Sequence, residues 1–96
     1  MQTRKGTKVL HEAAARQAII AEVYHDADEY VCYRRFTVGT KYGTDEPRFA
    51  AEPPDHLLVY QSSDRPEWCY AINLVNGTAA SLDWKDLADT VKPYNP

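Results

Sequence analysis

Cys32 and Cys69 with His25 or His56, and the adjacent pair His11-Glu12, are the residues of this chain whose types could do covalent or metal chemistry. A cysteine nucleophile needs an imidazole or a helix N-terminus beside it to become a thiolate near neutral pH. Two cysteines and three histidines make such a pairing easy to compose by chance. Both cysteines stand in strand-like sequence, where a reduced thiol behaves as a small buried hydrophobe. His11-Glu12 would open the helical zinc-protease pattern, but the second histidine belongs four positions after the first, and Ala15 stands there. No close Cys or His pairs offer zinc a framework.

Other cofactor chemistries fail on spacing. A phosphate cradle needs clustered glycines at a strand-to-helix turn, whereas Gly39 and Gly43 are followed by Pro47, Pro53 and Pro54. The acidic groups Asp26, Asp28, Glu29 and Asp83, Asp86, Asp89 lack the glycine and glutamate offsets of a calcium loop; the second reads as a cap and the solvated side of a helix. Asn76-Gly77-Thr78 matches a glycosylation acceptor, but a turn explains it. The residues therefore point to a chain that is not an enzyme, with no catalytic residues, no metal and no cofactor.

The elements that carry these residues follow from composition and periodicity. A 96-residue chain with 44% hydrophobic and 26% charged residues has the usage of one globular domain with one core. No apolar run approaches the length of a membrane span, and the start, with Arg4, Lys5 and Lys8, leads into His11, Glu12 and Arg16 instead of a signal-peptide core. A cytoplasmic location is the expectation, with residues 1–7 flexible. The net charge of -3 is uneven: residues 1–48 hold eight basic and seven acidic side chains, residues 49–96 three and seven.

Val9 to Tyr24 reads as a helix, rich in alanine, with Thr7 as its cap and an apolar stripe through Val9, Ala13, Arg16, Ile20 and Val23, widened by Leu10 and Ile19. Glu29 to Val38 reads as a strand, with Tyr30, Cys32, Arg34, Phe36 and Val38 facing the core and Val31, Tyr33, Arg35 and Thr37 facing away. Gly39 to Pro54 reads as a long loop. Leu57 to Tyr60 and Trp68 to Val75 form the clearest strand pair; Asn76-Gly77 signals a two-residue hairpin turn into Thr78 to Ser81. Ser81 or Asp83 caps a last helix that runs to about Val91 on a stripe of Trp84, Leu87, Ala88 and Val91, stopped by Pro93. The expected fold is α+β: an N-terminal helix on a three- or four-stranded antiparallel sheet, with a short C-terminal helix.

With catalysis set aside, the surface carries the functional reading. Seven tyrosines and two tryptophans are many for this length, and Tyr, Trp and Arg dominate interface energies. Tyr33-Arg34-Arg35-Phe36 and Lys41-Tyr42 hold the densest mixture, so the working surface is expected on the Tyr33 to Tyr42 segment and the loop that follows it, with Tyr33, Arg34, Arg35, Lys41 and Tyr42 as the expected partner-binding residues. A protein partner is expected first, and an inhibitor of a larger enzyme or nucleic-acid machine, such as an immunity-type or phage anti-CRISPR protein, would suit a small acidic chain without catalytic motifs. The alternatives are a single-stranded nucleic-acid binder using an aromatic and arginine-bearing sheet face, against which Asp45, Glu46 and the net acidity count, and a small-ligand pocket between helix and sheet.

Overall fold

A computed structural model describes residues 12–23, 33–43, 46–61 and 65–94. The expectations placed on Thr7, Val9, Leu10, His11, the connection from Tyr24 and the strand residues before Tyr33, Cys32 among them, lie outside these residues. The elements are α1 (Glu12–Val23), β1 (Tyr33–Val38), β2 (His56–Gln61), β3 (Trp68–Asn73), β4 (Ala79–Asp83), α2 (Trp84–Ala88) and β5 (Val91–Pro93). They form one five-stranded sheet in the order β4-β3-β2-β1-β5, with every neighbouring pair antiparallel. The fold is α+β, with five strands among the described residues where three or four were expected.

Strand alternation gives the sheet two apolar faces, and each has its own cover. On one face Phe36, Val38, Leu57, Val59, Cys69, Ala71, Ala80 and Leu82 pack with Leu87 of α2 and with Tyr42, Phe49 and Ala51 from the irregular segment. On the other, Leu58, Tyr60, Ile72 and Leu74 pack with Ala15 and Ile19 of α1, with Trp68, Tyr70 and Ala79 at the margin. The core-facing set expected for β1 is right for Phe36 and Val38, while Arg34 on that same side stays exposed.

The helix stripe needs correction. Ala15 and Ile19 are fully buried, whereas Ala13 and Arg16 are exposed and Ile20 is half-buried. Five alanines spread around α1 give its faces little contrast in hydropathy, so spacing alone did not fix which side meets β2 and β3.

The C-terminal helix is also shorter than expected. The Thr90 N–H and Oγ1 both donate to the Leu87 carbonyl, at 2.9 and 2.8 Å, and the Gly39 and Thr40 N–H groups donate to the Thr90 carbonyl. That exchange turns the chain and lays Val91, Lys92 and Pro93 beside Val38, Thr37 and Phe36 as the fifth strand. Pro93 is tolerated because its nitrogen points away from the ladder at a sheet edge.

The β3–β4 turn has four residues instead of two. The Asn73 N–H donates to the Thr78 carbonyl and the Gly77 N–H to the Asn73 carbonyl, both at 2.8 Å. Asn73 Oδ1 meanwhile accepts from the Val75 N–H at 2.8 Å, which ends the strand two residues before Val75. Gly77, at φ 78°, takes the left-handed conformation that closes the turn.

Candidate functional site

Residues 39–43 and 46–55 form neither helix nor strand among the described residues, yet a polar network fixes them to the hairpin. Asn73 Nδ2 donates to the Asp55 carboxylate at 2.9 Å and to the Ala50 carbonyl at 2.9 Å. The Glu52 N–H donates to the same Asp55 oxygen at 3.1 Å. Asn76 Nδ2 donates to the Ala50 carbonyl at 3.1 Å, and the Ala50 N–H donates to Thr78 Oγ1 at 3.2 Å. The Thr78 hydroxyl lies 2.7 Å from Asn76 Oδ1. Both Asp55 and Asn73 are buried. A carboxylate out of water is costly unless hydrogen-bonded, so these donors hold residues 50–55 in place, and the Tyr42 N–H, donating to the Ala51 carbonyl at 2.9 Å, ties residues 39–43 to them.

The segment held in this way encloses a depression of about 300 Å³ lined by Lys41, Tyr42, Phe49, Ala50, Ala51, Glu52 and Asn76. Its apolar members include Tyr42 and Phe49, whose rings meet edge to face with centroids 5.3 Å apart. Lys41 and Glu52 supply opposite charges, and Ala50 is exposed. Lys41 and Tyr42 are the two expected contact residues that the structure brings together here. Tyr42 is a buried member of the core that also lines the depression.

The other three expected residues go elsewhere. Tyr33 stands across from Tyr60 in the sheet, and its side chain lies outside what the structure describes. Arg34 is exposed, its guanidinium carbon 5.1 Å from the Phe36 ring centroid. Arg35 points to the opposite face, as strand alternation requires. Its guanidinium lies 4.3 Å over the Tyr94 ring and 3.6 Å from the Glu12 carboxylate, so it is engaged within the molecule. His56 meets the other side of this group, edge to face with Tyr94 at 5.3 Å. Its Nδ1 and Arg35 Nε are both buried without hydrogen-bond partners. Burial and then the Arg35 charge hold the His56 pKa below its ordinary 6.5, against an opposing contribution from Asp55.

The sequence reading counted the loop after Tyr42 in the expected surface but singled out none of Phe49, Ala50, Glu52, Asp55, Asn73 and Asn76. A signal was present in Asn73: it shares a strand face with Cys69 and Ala71, where a polar side chain demands partners. His56 and Cys69 lie on opposite faces and toward opposite ends of the sheet, since Cys69 pairs with Gln61. Burial, assisted by Asp83, pushes the Cys69 thiol up to about 12. No three metal-ligating side chains gather among the described residues, and no helix among them is long and apolar enough to cross a membrane. No protein-family model, curated protein or solved structure matches the chain.

Proposed function

We propose that this chain is a non-catalytic protein-binding module that presents residues 39–43 and 46–55 to its partner, with the depression between Lys41, Phe49 and Asn76 receiving a side chain. The observation that carries the reading is the burial of Asp55 and Asn73 beneath a segment with no regular structure. A loop held in one conformation loses less entropy on binding, which is the usual gain from ordering a contact surface in advance. Lys41, exposed beside an apolar floor, adds a charged group of the kind found at an interface rim.

Two features weigh toward a protein over a single-stranded nucleic acid. The sheet aromatics Tyr60, Trp68 and Tyr70 lie on the face that α1 covers, and Arg34 and Arg35 diverge to opposite faces. Stacking on a sheet needs aromatic rings and cations on one open surface.

The test is co-purification from the native host of whatever binds the tagged chain, before and after nuclease digestion. A protein partner retained after digestion, lost with Lys41→Glu and with Ala50→Trp, which fills the depression, and kept with Lys85→Ala on α2 is the expected result. Equal recovery with all three variants, or loss of the partner on digestion alone, would remove the reading.

A further inference from the structure

The register of β4 leaves part of its outer edge open. The Asn73 N–H bonds the Thr78 carbonyl and the Trp84 N–H bonds the Glu67 carbonyl, so Thr78, Ala80, Leu82 and Trp84 turn their backbone groups toward β3. Ala79, Ser81 and Asp83 therefore turn theirs outward. The Ala79 N–H is met by the Arg48 carbonyl at 3.1 Å, which closes that end. Among the described residues, nothing meets the Ser81 N–H, the Ser81 carbonyl or the Asp83 N–H. The opposite edge, β5, is only three residues long and ends in Pro93, which has no N–H to offer.

We propose that the β4 edge at Ser81 and Asp83 receives an extended segment of a partner protein as a sixth, antiparallel strand, with Lys or Arg opposite Asp83. Main-chain pairing of this kind needs unpaired donors and acceptors alternating along a strand, which this edge supplies. The side chains of Ser81 and Asp83 are exposed on the same face, so the partner residue across from Asp83 sets its charged group directly beside the carboxylate. Glu67 is also exposed at this end, but the exposed Arg65, whose guanidinium lies 4.9 Å over the Trp68 ring, offsets it, so the charge offered along the edge is that of Asp83 itself.

A second copy of the chain does not fit this edge. Two-fold pairing centred on Ser81 sets Ala79 of each copy opposite Asp83 of the other, where the Arg48 segment already stands. Pairing centred on Leu82 or Asp83 brings the two Asp83 carboxylates to diagonal or directly opposite positions, and like charges so placed repel. Asp83 thus admits a basic strand and rejects its own copy.

The inference is independent of the depression, and its test does not touch residues 39–55. The probes are a capped peptide Thr-Val-Lys-Val-Thr-Ser, its counterpart with Glu for Lys, and a version N-methylated at alternate residues, each titrated into the folded protein with amide exchange read by NMR. The Lys peptide should slow exchange at Ser81 and Asp83 by about tenfold or more, since new hydrogen bonds protect both amides. The Glu peptide should bind about threefold more weakly, and the N-methylated one should not protect. Ser81→Pro removes only an outward N–H; with its circular dichroism unchanged it should lose the peptide, and Asp83→Lys should reverse the preference to the Glu peptide. Unchanged exchange at Ser81 and Asp83 under saturating Lys peptide would overturn the proposal. So would protection that grows with protein concentration in the absence of peptide, which would give the edge to a second copy.

Discussion

Asn73 and Asp55, each buried to within 2% of full enclosure, join β3 to the residue before β2 through one hydrogen bond of 2.9 Å. Removing the amide leaves a carboxylate out of water with one donor fewer. Asn73→Ala should cost about 2–3 kcal/mol in urea-induced unfolding, the range for a bond to a buried charged acceptor. Asn73→Asp should cost more at neutral pH, where two carboxylates would face each other, and should recover part of the loss as the pH falls and one of them takes a proton. A loss of only a few tenths of a kcal/mol in Asn73→Ala would mean that the network does not govern the segment.

Cys69 should be inert while the chain is folded. Its thiol is fully enclosed and its pKa is pushed up to about 12, so almost no thiolate exists at neutral pH. In a Cys32→Ser background, iodoacetamide at pH 8 should modify Cys69 only after urea unfolds the protein. Replacing Cys69 with Ser puts a hydroxyl among apolar side chains and should lower stability by about 1–3 kcal/mol. Rapid alkylation of the folded chain would show that the thiol is reachable and reactive.

His56 makes stability depend on pH in a defined direction. Its folded pKa lies below 6.5, so between 6.5 and that lower value the unfolded chain binds a proton that the folded chain does not. The contribution is fully present above pH 6.5 and is lost as the pH falls toward the folded value. The denaturation midpoint of the native chain should therefore drop more steeply from pH 7.5 to 5 than that of His56→Phe. Parallel curves for the two would exclude His56 as the source.

Much of this arrangement was legible from residue patterns, and the exceptions have physical causes. The antiparallel pair of β2 and β3 follows from β-branched and aromatic runs bounded by turn residues, and the parting of Arg34 from Arg35 follows from the two-residue repeat of a strand. What escaped was long-range: nothing local to Val91-Lys92-Pro93 marks a strand, because the Gly39 and Thr40 N–H groups that seat Thr90 come from far away in the chain. The same holds for the depression. Tyr42 and Phe49 read as loop residues until packing against distant strand residues buries them and Asn73, on a different element, bonds the neighbouring Ala50 carbonyl.

Arg35 and Tyr94 should act together to hold the end of β5. The guanidinium lies over the Tyr94 ring and the Tyr94 N–H donates to the Arg35 carbonyl at 2.8 Å. Tyr94→Ala should lower stability by about 1 kcal/mol, the scale of a partly exposed cation–π contact. It should also speed amide exchange at Lys92 more than in β2 or β3. Arg35→Ala added to Tyr94→Ala should cost less than the sum of the two single changes, as a double-mutant cycle would show.

The pairing of β1 with β5 has a consequence for the order of assembly. β2, β3 and β4 are neighbours in sequence as well as in space, so their meander can form from local contacts soon after those residues emerge during synthesis. β1 comes earlier in the chain but must wait for β5, the last of the described elements, before its outer edge is covered. A nascent chain therefore carries a half-paired β1 beside a completed meander until Thr90 reaches Gly39, and that interval is when the protein is most exposed to wrong pairing with a neighbour.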